Sequence, residues 1–592
     1  MDGKKLEYKG DEALEELEKL TTKADEVQEK ILKDIITRNG DTEYLSKYLK
    51  GSKDVSTFKH HVPVIDYSGA QPYIKRIGNG EESSLLSGHT IVEMLCSSGT
   101  SNGEPKLMPS IAEDLDRRTF VYNLIMPIVN KYIPGLDEGK AMYLYFVKAE
   151  MSTPCGLPAR AVLTSYYKSK HFKGRARNVP FLDYTSPDQA ILCDDSNQSM
   201  YCQLLAGLVL RDQVLRLGAV FASAFLRSIT YLEKNWVKLC NDIRKGKLDA
   251  SITDPECQLA MSSLLTSPKP SLADEIEKIC GGSSWKGILC RLWPKAKFIE
   301  AVVTGSMAQY IPSLEYYSDK KLPLFCPMYA ATESYFGVNL KPLSDPSDVS
   351  FTLLPNMCYF EFIPLGENSW SFDEETNIPS NNLIDLSEVK LGCYYEIVVT
   401  TFAGLCRYRI GDVLQVTGFY NKAPQFKFIC RRNVALSLDN EKTSEENLYK
   451  SITAAKKLLE PHKVILLEYT SVADTSSVPG HYVLYWEIVH VKPKLAHSSL
   501  DEVLKECCIA VEEELDYTYR RCRSHDKAIG PLEIKLVKPG TFEALMDFYI
   551  SQGGSINQYK TPRCIQSETA LKLLEANVKE RFLSPRDPIW TP

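Results

Sequence analysis

Ten consecutive residues, Ser97-Ser98-Gly99-Thr100-Ser101-Asn102-Gly103-Glu104-Pro105-Lys106, hold four hydroxyls, two glycines and a lysine. Glycine lets a backbone turn sharply and approach a ligand closely. Hydroxyls, exposed amides and a lysine then offer donors to phosphate oxygens. The chemistry suggested is nucleotide phosphate binding. It is not that of a Walker A loop, because position 104 is Glu and no Gly-Lys pair follows. The same stretch fits G-x-S-x-G, the nucleophile elbow of serine hydrolases, with Ser101 as nucleophile. That alternative needs a later acid and histidine. No downstream histidine sits in a loop beside an evident acid, and His490 falls in a strand-like run. A protein that binds nucleotide without turnover is a third reading.

Two later segments carry complementary chemistry. Tyr329-Ala330-Ala331-Thr332-Glu333 follows a short apolar run, and Tyr408-Arg409-Ile410-Gly411-Asp412 follows another. A tyrosine ring can stack on a purine. A glutamate at a loop end offers hard oxygens to Mg²⁺. An aspartate beyond a glycine turn can accept hydrogen bonds from ribose hydroxyls. Each segment alone is compatible with an ordinary turn; the occurrence of all three in this order is what makes the set specific.

These loops need strands to hold them. The run 90–96 reads as the buried strand that leads into the first loop, and 141–147, 298–304 and 395–400 read as further strands. Residues 11–37 read as one amphipathic helix, and Leu204 to Leu226 as one or two buried helices. The expectation is an α/β fold: a large N-terminal domain over 1–438, with α/β sheets and barrel-like antiparallel strands near 350–430. A smaller, mobile α+β domain follows over 439–592, with helix 445–459, strands 464–469 and 482–491, helix 500–521 and strand 532–537. Its hinge is expected at 435–442, with Thr443 and Glu446 as a capping box.

At 592 residues the chain needs more than one core. A net charge of −6 argues against nucleic-acid binding. The 17 cysteines include no C-x-x-C pair and no metal-ligand spacing. With no apolar leader and no uninterrupted spanning segment, this predicts a cytoplasmic, reduced protein off the membrane.

The motifs S-S-G-T-S-x-G-x-x-K, Y-x-x-[ST]-E and Y-R-x-G-D, with Gln558-Tyr559-Lys560-Thr561-Pro562-Arg563 near the end, resemble those of the plant auxin-responsive acyl acid amido synthetases, members of the adenylate-forming superfamily. The resemblance runs over nearly the whole chain and implies the adenylate-forming fold. It implies an enzyme that adenylates an aromatic or hormone-like carboxylic acid (a benzoate, a chorismate-type or an indole acid) with ATP and Mg²⁺, then joins it to an amino acid. It also implies a monomer. By position, Ser98, Gly99, Thr100, Ser101 and Lys106 would meet phosphates, and Tyr329, Ala330 and Ala331 would line adenine. Thr332 would touch the α-phosphate, Glu333 would hold Mg²⁺, and Tyr408 with Asp412 would serve the ribose side. Lys442 would approach the acyl-adenylate, Lys560 would meet the amino acid or the phosphate when the small domain swings over, and Val537, Lys538 and Lys560 would lie at the amino-acid site. Tyr122, Ile125, Val162, Leu163 and Phe336 would line the acyl pocket. Two departures stand out. Ala331-Thr332 replaces the more usual pair of serines, and Ile125 stands where some benzoate-type relatives carry a base, leaving a more apolar pocket.

Overall fold

The computed structural model describes residues 10–590 apart from 102–103, 148–149, 174–182, 367–382, 433–435, 437, 439–442, 444, 475, 478, 491–496, 525–526, 528, 554–555, 557–558 and 566. At 98–101, 104–105, 223, 306, 309, 497–499 and 517–518 only the backbone is described.

The fold is α/β, with four sheets. One is a parallel sheet in the order Lys140–Leu144, Val214–Phe221, Phe298–Val302, Leu324–Phe325. The sequence expectation at Leu204 to Leu226 needs correcting here. The chain runs through helix Ser196–Val209, strand Val214–Phe221 and helix Ala222–Lys245. Strands buried on both faces are uniformly apolar, so period could not separate this one from a buried helix. The expected strands 141–147 and 298–304 stop earlier, at Leu144 and Val302. The predicted helix 11–37 is two helices, Asp11–Thr22 and Ala24–Asn39.

The antiparallel strands expected near 350–430 form an eight-stranded sheet. Its order is Ile384–Asp385, Tyr359–Leu365, Tyr394–Thr400, Tyr408–Tyr420, Ala423–Arg431, Phe351–Leu353, Tyr335–Val338, Met328–Ala330. A separate hairpin, Ile91–Ser101 with Glu104–Ile111, carries the Gly/Ser-rich loop and pairs in parallel with Pro158–Ala161.

The C-terminal sheet, Val464–Asp474, His481–His490, Glu533–Val537 and Val578–Leu583, has cores of its own. Tyr482, Leu484 and Trp486 join helices Glu445–Leu459 and His497–Glu514 on one face, and Val483 and Tyr485 join Thr541–Ser551 and Glu568–Ala576 on the other. Alternating residues therefore serve two apolar layers. The predicted helix 500–521 breaks into His497–Glu514 and Tyr517–Ser524. Thr443 does not cap the helix that begins at Glu445. Its backbone bridges to Leu436, and its hydroxyl lies 3.2 Å from that of Tyr482.

Among the described residues no helix is long and apolar enough to cross a membrane. Tertiary packing also gathers Cys193, Asp254 and Cys257, whose ligand atoms lie within 4.8 Å of one another, a grouping that sequence spacing does not reveal. Both thiols point weakly at backbone carbonyls, of Asp195 and Gln189, as reduced core cysteines do.

Candidate functional site

Asp412 and Arg431 face each other in register on neighbouring strands, and Arg431 Nε pairs with Asp412 Oδ1 at 3.0 Å. The Tyr329 hydroxyl donates to Asp412 Oδ2 at 2.8 Å. A charge-assisted bond in a buried setting contributes about 2 kcal/mol. Two sequence segments, 83 residues apart, are thereby locked into one wall. The Tyr329 ring rests against Phe336, with centroids 5.0 Å apart, and is flanked by Phe351 and Phe428. Gly411 takes a φ of 83°, a left-handed turn that favours glycine and sets the residue that follows.

Thr332 and Glu333 lie half-buried in the turn between Met328–Ala330 and Tyr335–Val338, with Ala331 N–H bonded to the Ser334 carbonyl at 2.9 Å. Burial raises the pKa of Glu333, with Asp412 adding to the rise and Arg431 and Lys106 opposing it. Lys106 lies on the hairpin, 5.4 Å from the Tyr67 ring centroid. Burial and Arg431 lower its pKa, against the pull of Glu333 and Asp66. Tyr408 is buried and feels Glu333, Arg431 and Asp66. Lys106, Glu333, Tyr408, Asp412 and Arg431 thus form one electrostatic cluster drawn from all three motifs.

The C-terminal domain reaches this cluster with Lys560. Its ammonium stands 5.5 Å from the Phe221 ring centroid, at the end of a parallel strand of the large domain. Solvent reaches Lys560, yet surrounding protein and Arg431 push its pKa down while Asp412 and Glu445 hold it up.

The side chains of Ser98, Gly99, Thr100 and Ser101 lie outside the described residues, as does all of Lys442. The backbone still decides against a hydrolase elbow. Ser101 ends a strand and pairs with Glu104 across an antiparallel hairpin. A nucleophile elbow passes from strand into helix. The Ser101 hydrolase alternative is therefore set aside.

Helix Glu113–Asn130 carries Tyr122 and Ile125, two of the residues expected at an acyl pocket. Tyr122 packs between two apolar groups, one holding Ile125, Phe298 and Phe325, the other Leu163, Tyr166 and Tyr167. Val162 faces the main core. Of two consecutive strand residues, Phe336 turns to Tyr329 and Phe360, while Tyr335 places its hydroxyl 2.9 Å from that of Tyr122. Strand alternation thus sends these two neighbouring side chains to different partners.

Arg118, absent from the sequence reading, is buried 6.0 Å from the Tyr335 ring centroid, and its Nη1 has no hydrogen-bond partner among the described residues. Its neighbour Arg117 is occupied by Glu113 and Asp114 and stacks on Phe402. Two adjacent arginines near the start of a helix gave no sequence sign of which one stays free.

Ala330 is exposed. Val537 is buried among Val483, Tyr485 and Leu545, so its side chain belongs to the C-terminal core, and Lys538 is exposed at the turn after it. Sequence had placed both at an amino-acid site.

The GH3 family N-terminal domain matches residues 13–324, its central domain 351–431 and its C-terminal domain 446–569. The chain belongs to the GH3 family. It is 68% identical to GH3.9 of Arabidopsis thaliana over 597 residues, covering 100% of both chains. It is 55% identical to the indole-3-acetic acid-amido synthetase GH3.17 of the same plant, over 97% of each chain. Among solved structures it resembles the GH3.15 acyl acid amido synthetase, with a TM-score of 0.89 and 49% identity over 98% of each chain. The GH3 fold thus accounts for the arrangement of sheets and for the small domain that carries Lys560.

Proposed function

We propose that this GH3 chain is an ATP-dependent acyl acid amido synthetase. What supports the reading is the bonded set Tyr329, Asp412 and Arg431, with Glu333, Lys106 and, from the other domain, Lys560 within its electrostatic reach. An organic carboxylate oxygen attacks the α-phosphorus of ATP and pyrophosphate leaves. An amino acid amine then attacks the acyl carbon and AMP leaves, giving the amide. A carboxylate is a poor acyl donor until one oxygen joins a good leaving group. The enzyme's work is therefore positioning and charge neutralisation.

Tyr329 presents an aromatic face beside Asp412, whose carboxylate keeps acceptor capacity beyond its two present partners. Lys106 and Lys560 bring positive charge to the phosphates, and Thr332 and the hairpin Ser98–Ser101 bring hydroxyls and amides. Glu333 suits Mg²⁺: it is a hard oxygen donor in the cleft, and no cation pairs with it within 4.0 Å among the described residues. The ion would neutralise phosphate charge there.

The acyl acid lies against Tyr122, Ile125, Leu163 and Tyr335, with Arg118 offering its free Nη1 to the carboxylate. The aromatic lining favours a flat ring acid, and relatives named for indole-3-acetic acid support an indole-type substrate. The small domain supplies the amine side through Lys560 and Lys538, and the chain acts as a soluble cytoplasmic monomer. A grid of aromatic acids against the twenty amino acids tests this. Pyrophosphate release should require an acid and Mg²⁺, and amide should form only with an amino acid. Acid-independent ATP turnover would overturn the reading.

A further inference from the structure

Among the described residues, one polar contact between the domains differs from the ion pairs at the rim. Lys234 with Glu543 and Arg227 with Asp547 are ion pairs with at least one exposed partner, at 3.1 and 3.6 Å. Such pairs contribute little. The Tyr310 hydroxyl, at the end of the turn Gly305–Tyr310 of the large domain, instead donates to buried Glu468 Oε2 at 2.5 Å.

Glu468 is the hub of the segment that carries Lys560. Its Oε2 also accepts from the Thr561 hydroxyl at 2.9 Å, and its Oε1 from Arg563 Nη1 at 2.6 Å. Arg563 donates as well to the Tyr469 carbonyl at 2.6 Å and stacks on the Tyr469 ring. Thr470 donates to the Pro562 carbonyl at 2.5 Å, Ser471 donates to that of Arg563, and the Ile565 amide returns a bond to Ser471. Residues 561–565 are therefore clamped to the strand Val464–Asp474. The backbone of Lys560, one residue earlier, is tied to the same strand through these bonds. A rotation of the whole domain that withdraws Lys560 must break Tyr310–Glu468.

We propose that Tyr310 is a positioning residue for the first half-reaction, its hydroxyl latching Glu468 so that the clamped segment holds Lys560 against the nucleotide. The contact belongs to the arrangement with Lys560 inserted. Its loss should tell on adenylation and not on the amine's attack. The inference rests on the amido synthetase reading.

The test uses the full chain with Tyr310→Phe, which keeps the ring. Acid-dependent ATP–pyrophosphate exchange should fall about tenfold, as expected for loss of one hydrogen bond to a charged group. Amide formation from chemically prepared acyl-adenylate and amino acid should stay within about twofold, and the melting temperature should hold. Hydrogen–deuterium exchange of the peptides spanning 305–312 and 559–565 should quicken. Equal loss in both half-reactions, no loss in either, or unchanged amide exchange would overturn the latch. If the unaltered chain fails to adenylate any acid, the functional reading falls, and the amide exchange alone still decides whether Tyr310 holds the domains together.

Discussion

Asp412 and Lys560 face the same cleft, but neighbouring strands fix the first and a separate domain delivers the second. Asp412 is held by an in-register arginine and a tyrosine hydroxyl inside one sheet. Lys560 depends on a clamped segment whose buried polar tie to the large domain is Tyr310–Glu468. On the proposed reading Asp412 lies at the adenine and ribose end, which must stay the same through both half-reactions and so suits a rigid sheet. The phosphate end must lose pyrophosphate and admit an amine, so it suits an element that can withdraw.

The largest effect should come from the fixed end. Asp412→Ala leaves the Tyr329 hydroxyl and Arg431 without their shared acceptor, and pyrophosphate exchange should drop about 10²–10³-fold. A loss under tenfold would mean that the rigid end contributes little. Lys560→Ala should lower exchange about 10²-fold while leaving the melting temperature unchanged, since the side chain is reached by solvent. Because the Lys560 pKa is lowered, its charge is lost as pH rises sooner than for an ordinary lysine. The alkaline limb of the rate profile should therefore move upward in Lys560→Arg, which does not titrate there.

Removing the free guanidinium in Arg118→Met should raise the acid's KM about tenfold and leave ATP's untouched. Equal effects on both substrates would place Arg118 outside the acyl side. Glu333 has a raised pKa, so it takes up its proton, as pH falls, above the ordinary value of about 4.3. The Mg²⁺ concentration for half-maximal exchange should climb toward acid pH, and Glu333→Gln should flatten that dependence. The smallest change belongs to the exposed interdomain rim: Lys234→Ala should alter either half-reaction by less than about twofold.

Much of this was legible beforehand. Tyr329, Glu333, Asp412 and Lys106, named from the three motifs, lie near one another around Arg431. The C-terminal helix Glu445–Leu459 also stood out, since its apolar period repeats over a full face. What escaped has specific causes. Val214–Phe221 carries no period because both its faces are covered. The contact of Tyr335 with Tyr122 was hidden beside Phe336, since which face of a strand meets which neighbour depends on tertiary packing. Arg118 and Arg117 look alike until their neighbours are known.

Residue types and their spacing by themselves determined the groups available: hydroxyls, a lysine, an aromatic face and carboxylates, the set an adenylating site would use. Only the tertiary structure decided which of two neighbouring side chains turns into the cleft, which arginine stays unpaired, and how Tyr310 reaches a glutamate 158 residues away. Those outcomes depend on contacts distant in the chain, and local propensity carries no information about them.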